Sequence, residues 1–372
     1  MIRIAILSLL LLAQGSSLKA QSKKKGDSPL LKVGLEDPFT KKDPKLMKSL
    51  GVVDYGPLVW ADNKRTTDIE KVLGEGRVLW METEHFKIGC NLGFTRAPKS
   101  PIARKQLKAD LKALSRKSSK IPSSSSKLGP WLRMHLYAKR ADDMYREFAE
   151  LVGEKEEGKH LGQKEKFLVL LFEKKSDLAR YMTSFGGRRS EQSGRHQHYA
   201  TGHFSVVMMA EGDEGPRDCE TTYAQFRFFM TQMFFDAMGG GPMWAMYGLA
   251  HWQERQVPCN MINCGIKANE SVDPATQYEW EKKMVKRSKH DGLCIPFVKM
   301  TNQSDLGYYG HVQAWSMVDF MQQDRAKFTA FLQAVLGKPS RSNQLKGLNL
   351  AYEMTPDAFD REWRKWVKKN YK

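Results

Sequence analysis

Acidic residues are in short supply: 42 Asp and Glu stand against 60 Lys and Arg in 372 residues, a net charge of +18. Such a surplus favours acidic partners, such as envelope polymers or anionic lipid surfaces. The cations are scattered, with Lys23-Lys24-Lys25 the one run of three. Helix-turn-helix, zinc-finger and RRM patterns are missing, which removes specific nucleic-acid recognition from the readings carried forward. A phosphate loop, a dinucleotide fingerprint and a Gly-x-Ser-x-Gly elbow are missing too, so nucleotide chemistry and serine hydrolysis have no motif to rest on. Cysteine is sparse, at five residues (Cys90, Cys219, Cys259, Cys264, Cys294), none at zinc-site spacing. No internal repeat is present, and past the N-terminal run no stretch is long and apolar enough to span a bilayer.

What is there begins with Met1-Ile2-Arg3 and the apolar run Ile4–Ala13, with Leu18-Lys19-Ala20 as a cleavage site. Residues 1–20 are expected to be a secretory signal peptide, so the mature chain is expected to be soluble and secreted, periplasmic or held in the cell envelope. With 41% hydrophobic residues and nine Trp, the remainder suits one large domain or two lobes. Residues 21–76 are expected to form a loosely structured segment, with a short helix after Thr66-Thr67-Asp68. Strands are expected at Arg77–Met81 and His85–Cys90, and a central strand at the apolar run Phe167–Phe172. A hairpin at His198–His203 leads to a strand at Phe204–Met209. Helices are expected at Trp131–Val152 and at Asp177–Ser184, capped by Ser176. Lys117–Lys127, with six Ser, reads as a flexible loop. In an exported protein a disulfide is expected within Cys259, Cys264 and Cys294, and the odd count leaves a thiol or an intermolecular bridge.

The densest stretch is Tyr223–Gln256, two helices joined by Gly239-Gly240-Gly241 and opened again by Pro242. Phe226, Phe228, Phe229, Met230, Met233, Phe234 and Phe235 surround the first axis, so that helix is expected to be buried. This helix pair, with Pro242-Met243-Trp244-Ala245-Met246-Tyr247-Gly248-Leu249-Ala250, resembles the core of the peptidase MA-like family, a gluzincin branch of zinc metallopeptidases. Three further stretches are similar to that family: Glu82-Thr83-Glu84-His85-Phe86-Lys87-Ile88, Gly310–Phe320 and Phe359–Val367. The resemblance therefore covers roughly residues 78 to 372.

It implies an α+β, zincin-like fold: a small, mostly antiparallel N-terminal sheet with packed helices (77–217), then a helical lobe (218–372). The family's first helix carries His-Glu-x-x-His, two imidazoles on one face pinching zinc and a glutamate activating its water. Here Arg227 falls at the first His position, Phe228 at the catalytic Glu, Thr231 at the second His and Tyr247 at the third ligand. All four are changed, so the resemblance implies a scaffold without its zinc motif and no cofactor.

Two readings of Arg227 stay open. It forms a structural ion pair, with Glu254, Asp218 or Glu220, or it serves as a fixed positive charge with Tyr247 and His251 donating hydrogen bonds in a cleft bordered by His198 and His203. A relocated metal site built from His196, His198, His203 and His251 is the alternative that would bring zinc back. His290 and His311 are read as surface or packing residues. The function expected is that of a secreted, catalytically inactive metallopeptidase-like protein that binds a peptide, protein or anionic envelope component, or acts as a scaffold. The competing expectation is an active metal-dependent hydrolase with nonstandard ligands.

Overall fold

The structure is a computed structural model that describes residues 34–61, 63–154, 160–187, 189–198, 203–209, 219–257, 279–290 and 292–372. Helices α1 (Pro44–Leu50) and α2 (Thr66–Leu73) precede strands β1 (Leu79–Glu82), β2 (Phe86–Cys90) and the short β3 (Thr95–Arg96). Then come α3 (Pro101–Lys117), β4 (Lys127–Leu128), α4 (Pro130–Val152), β5 (Phe167–Phe172) and α5 (Lys175–Phe185). The hairpin of β6 (Gly194–His198) and β7 (His203–Met209) precedes α6 (Cys219–Ala237) and α7 (Met243–Glu254). The remaining helices are α8 (Trp280–Ser288), α9 (Phe297–Met300), α10 (Gly307–Met321), α11 (Arg325–Val335), α12 (Arg341–Tyr352) and α13 (Pro356–Asn370). The fold class is α+β, as expected.

The main sheet runs β1-β2-β5-β7-β6 and is mixed, which corrects the expectation of a mostly antiparallel one. β2 and β7 both pair with β5 in parallel, and only the outer pairs β1/β2 and β6/β7 are antiparallel. The cause is visible in β5, which is buried along its whole length. Phe167, Val169 and Leu171 join one core and Leu168, Leu170 and Phe172 the other. A strand buried on both faces needs helices on both, and crossover connections through helices bring parallel neighbours.

Helices α4 and α6 cover one face; α2 and α5 cover the other. For the described residues from 34 onward, the second cover also corrects the reading of 21–76 as loose; residues 21–33 lie outside the described residues. Trp60, Ile69 and Leu73 are buried against Trp80, Leu168 and Phe172, and the Trp60 indole donates to Tyr181 Oη at 3.2 Å. Further back, the Asp37 carboxylate is bound by His135 of α4 at 2.9 Å and by the Thr40 hydroxyl at 2.9 Å. Burial would raise that carboxyl, but the His135 hydrogen bond and charge, helped by Tyr55 and the Phe39 N–H, hold it at about 2. The segment lacks long apolar runs, yet a few large side chains and one buried acid fasten it.

The α6–α7 pair forms as its sequence dictates. Phe226, Phe228, Met230, Met233, Phe234 and Phe235 are all fully buried. Gly239 and Gly240 both take φ of +82°, which only glycine adopts cheaply, and the Gly240 N–H closes the helix end on Phe235 O at 2.8 Å. α7 then packs between α6 and α10. The contact with α10 is so close that a Cβ on Gly248 would stand 2.5 Å from Ala314 O.

Cys90 is a buried thiol in β2 whose ionisation is pushed up to about 11 by burial. Cys294 is buried as well, and no disulfide is formed among the described residues. The expected pairing within Cys259, Cys264 and Cys294 is therefore not seen for Cys294, while Cys259 and Cys264 lie outside the described residues.

Candidate functional site

Successive residues on α6 face different neighbours, and this separates the positions carried over from the resemblance. Arg227 turns towards α4 and the end of α7. Its guanidinium donates to Gln253 O at 3.0 Å, to Gln253 Oε1, to Tyr223 Oη at 3.2 Å and to Glu147 Oε2 at 3.4 Å. Gln253 completes the ring by donating to Glu147 Oε1 at 3.1 Å. Arg227 is thus ion-paired, with an acid that the sequence did not point to. Glu147 of α4 replaces the expected Glu254, which is engaged elsewhere; Asp218 and the side chain of Glu220 lie outside what is described. Thr231 is also occupied, its hydroxyl donating to Arg227 O at 2.8 Å.

Phe228 faces α7. Its ring is fully buried, 6.1 Å from Tyr247 and 4.9 Å from His251. Tyr247, half-buried, meets His311 of α10 edge to face at 4.8 Å. His251 is fully buried and bound at both nitrogens: Nδ1 lies 2.9 Å from Glu254 Oε1 and Nε2 lies 2.9 Å from His311 Nδ1. Burial holds both imidazoles well below the usual range, each at about 3, with Arg255 adding to the effect on His251 and His251 adding to that on His311. With both rings neutral, one proton occupies each of these two hydrogen bonds. Arg255 lies over Trp280 at 4.7 Å and Trp315 at 4.5 Å, a cation held on aromatic faces.

His311 was read from sequence as a packing residue without a partner; it is half of this imidazole pair. The sixty-residue separation leaves no local signal for it. Nor does His251 donate into a cleft beside Arg227, because its nitrogens are committed within the core.

The sheet edge borders this corner. β6 is the edge strand, and His198 lies directly across from His203 in the β6/β7 register, with His196 opposite Ser205. From this strand Arg195 reaches α6, donating to Gln232 Oε1 at 3.1 Å and pairing with Asp236. Burial pulls Arg195 down from its ordinary value and the neighbouring Tyr247 opposes the shift. Among the described residues, the buried Gln232 Nε2 has no hydrogen-bond partner. Sequence spacing did not single out Arg195 or Gln232, since only the sheet register brings them together.

Zinc is the ion that the resemblance implies, and the residues here do not fit it. A guanidinium, a phenyl ring, a back-bonded hydroxyl and a phenol stand at the four positions. In the alternative set, His251 is removed by its two hydrogen bonds. Among the described residues no group of three His, Cys, Asp or Glu is arranged to hold a metal ion.

A second cleft, of about 420 Å³, opens between α3, α4 and the start of β2, with Asp142, His85, Lys139 and Arg146 on its walls. Burial pushes the Asp142 carboxyl up to about 7, against a 3.0 Å hydrogen bond from Thr83 Oγ1. His85 is stacked on Tyr145 at 3.7 Å and lowered by burial to about 4. Compared with known proteins, the chain matches no family model and no curated protein.

Proposed function

We propose that this chain is a non-catalytic binding protein, exported and built on a gluzincin-like frame, whose β6–α6–α7 corner takes an extended peptide. The observation that carries the reading is the packing around Phe228. Where that family needs a carboxylate to activate water, a fully buried phenyl ring is wedged between Tyr247 and His251. A phenyl ring cannot take a proton, and the imidazole beside it has no free nitrogen for a metal or substrate. Binding is supported by the remaining geometry: β6 is the edge strand among the described residues, and beside it stand the cation Arg195 and a buried Gln232 Nε2 that has no hydrogen-bond partner among those residues. Export is supported by the basic start and apolar run of residues 1–20.

Metal content after dialysis against a chelator, together with an assay on unfolded casein, tests the catalytic half. Less than stoichiometric zinc and no cleavage are expected; retained zinc, or cleavage that a chelator stops, overturns the reading in favour of a relocated metal site. The binding half is tested with a library of unstructured peptides, followed by amide exchange of the complex. Protection of residues 194–198 is expected, and protection elsewhere with none in β6 rejects the corner. In the same assay Arg227→Met should leave peptide affinity unchanged while costing about 1–3 kcal/mol of stability, because it removes charged hydrogen bonds from a side chain only 11% exposed.

A further inference from the structure

Helix α3 has an inner stripe of Ala103, Leu107, Leu111 and Leu114, all buried, and an outer face of a different kind. Arg104, Lys105, Lys108, Lys112, Arg116 and Lys117 are all exposed there. The helix has one acid, Asp110, and it is turned inward to α4, where it accepts from Lys139 Nζ at 3.1 Å and Arg140 Nε at 2.9 Å. The outer face is thus left with cations alone.

Beside it lies a cleft of about 780 Å³ between α3, the β3 strand and the serine-rich segment before β4. Arg96, Arg104, Lys108 and Ser124–Ser126 line it over Leu107 and Leu111, and no carboxylate is among its walls. Arg104 is fixed by two backbone carbonyls, Pro98 O at 3.2 Å and Lys99 O at 3.0 Å, which aims its remaining donors without neutralising the charge. Two large apolar side chains stand in water nearby: Ile102, 69% exposed in the first turn of α3, and Phe94, 49% exposed just before β3 with Lys127 over its ring at 4.5 Å.

A basic helix face is by default a solvated surface that keeps the protein dispersed. Three features together go beyond that default: the cations have no ion-pair partner among the described residues, several of them line a concave site, and exposed apolar residues accompany them. A soluble polyanion would use the first two, but it gives Ile102 and Phe94 no apolar environment. A bilayer surface uses all three, with phosphates over the cations and apolar side chains at the acyl boundary. We propose that this face docks on membranes rich in anionic phospholipid, with one headgroup phosphate seated between Arg96, Arg104 and Lys108. The site is separate from the β6–α6–α7 corner, so either assignment can fail alone.

The test is flotation of the full chain with vesicles of phosphatidylcholine carrying phosphatidylglycerol, against phosphatidylcholine alone, with inorganic phosphate and a short oligonucleotide as competitors. Binding only to the anionic vesicles is expected, weakening as salt is raised. Arg104→Gln with Lys108→Gln should weaken it about 25-fold, from roughly fivefold per cation near an anionic surface. Ile102→Ser should cost about tenfold by removing one apolar anchor. Lys368→Gln with Lys369→Gln, an equal loss of charge on α13, should change it by less than about twofold if position matters and not total charge. If Arg104→Gln fails to fold because the Pro98 and Lys99 carbonyls lose their donor, Lys108→Gln with Lys112→Gln is read in its place. Equal binding to neutral vesicles, an equal loss in the α13 variant, or an unaffected Ile102→Ser with displacement by the oligonucleotide each overturns the proposal, the last in favour of a soluble polyanion.

Discussion

His251 and His311 are cut off from water, so any proton added to either must be accommodated by protein groups alone. Those groups are Glu254 and the two imidazoles themselves, with Arg255 and Asp305 acting at longer range. In the unfolded chain both rings take a proton near 6.5, whereas in the folded chain both wait until about 3. The unfolded state therefore binds more protons between those limits, and folding stability falls as pH is lowered from about 6.5 towards 3. The slope is up to about 1.4 kcal/mol per pH unit for each ring. Urea unfolding between pH 7 and 4 should show this loss, and His251→Gln with His311→Gln should flatten the curve. An unchanged slope in that variant would mean that the pair is protonated in the folded protein. Residue identity told half of this story: a phenyl ring at Phe228 and a hydroxyl at Thr231 limit what each position can offer wherever the chain places them. The partners did not follow from identity, because Glu147, Gln253 and His311 reach α6 and α7 from distant positions in sequence.

At the scale of an element, α7 is a wedge with no solvent face to spare. Gly248 is where it comes nearest to α10. An added methyl group would meet Ala314 O at 2.5 Å and Val318 Cγ2 at 2.8 Å. Alanine in mid-helix normally gains about 1 kcal/mol over glycine through backbone entropy. Here the backbone carbonyl cannot yield without moving α10, so the clash wins. Gly248→Ala is expected to lose about 3 kcal/mol in urea unfolding; a stabilised variant would show that the two helices are held more loosely than described. The α6–α7 hairpin was legible because its signals are local, an apolar helix, glycines at positive φ and a proline. α3 carried an equally local signal, Ala103, Leu107, Leu111 and Leu114 at helical spacing. That stripe is thin and interrupted by cations, so its apolar periodicity is weak beside that of α4 or α6.

For the whole molecule the decisive fact is that the sheet has two buried faces. Trp80, Leu168, Leu170 and Phe172 form a second core that Trp60, Ile69 and Leu73 close from the N-terminal side. Each of these large side chains gains about 1.5–3 kcal/mol from its burial, so the cover is part of the fold. A chain begun at residue 77 is expected to bind a hydrophobic dye, associate in gel filtration and lose cooperative unfolding, while one begun at residue 34 behaves as the full chain. A monomeric shortened chain with an unchanged unfolding midpoint would show that the segment is dispensable.

By itself the sequence determined the elements whose cause is local. Those are the central strand Phe167–Phe172 and the helices at 131–152, 223–238 and 243–256 to within a few residues. The periodicity of apolar side chains and the chemistry of single side chains need no partner to be read. Only the tertiary structure decided that the sheet is mixed, that residues 34–76 belong to the core, that Arg227 answers to Glu147, and that His251 is locked to His311. Each of these depends on which segments far apart in sequence meet, and a sequence carries that only through the summed burial of its many side chains, with no motif to mark it.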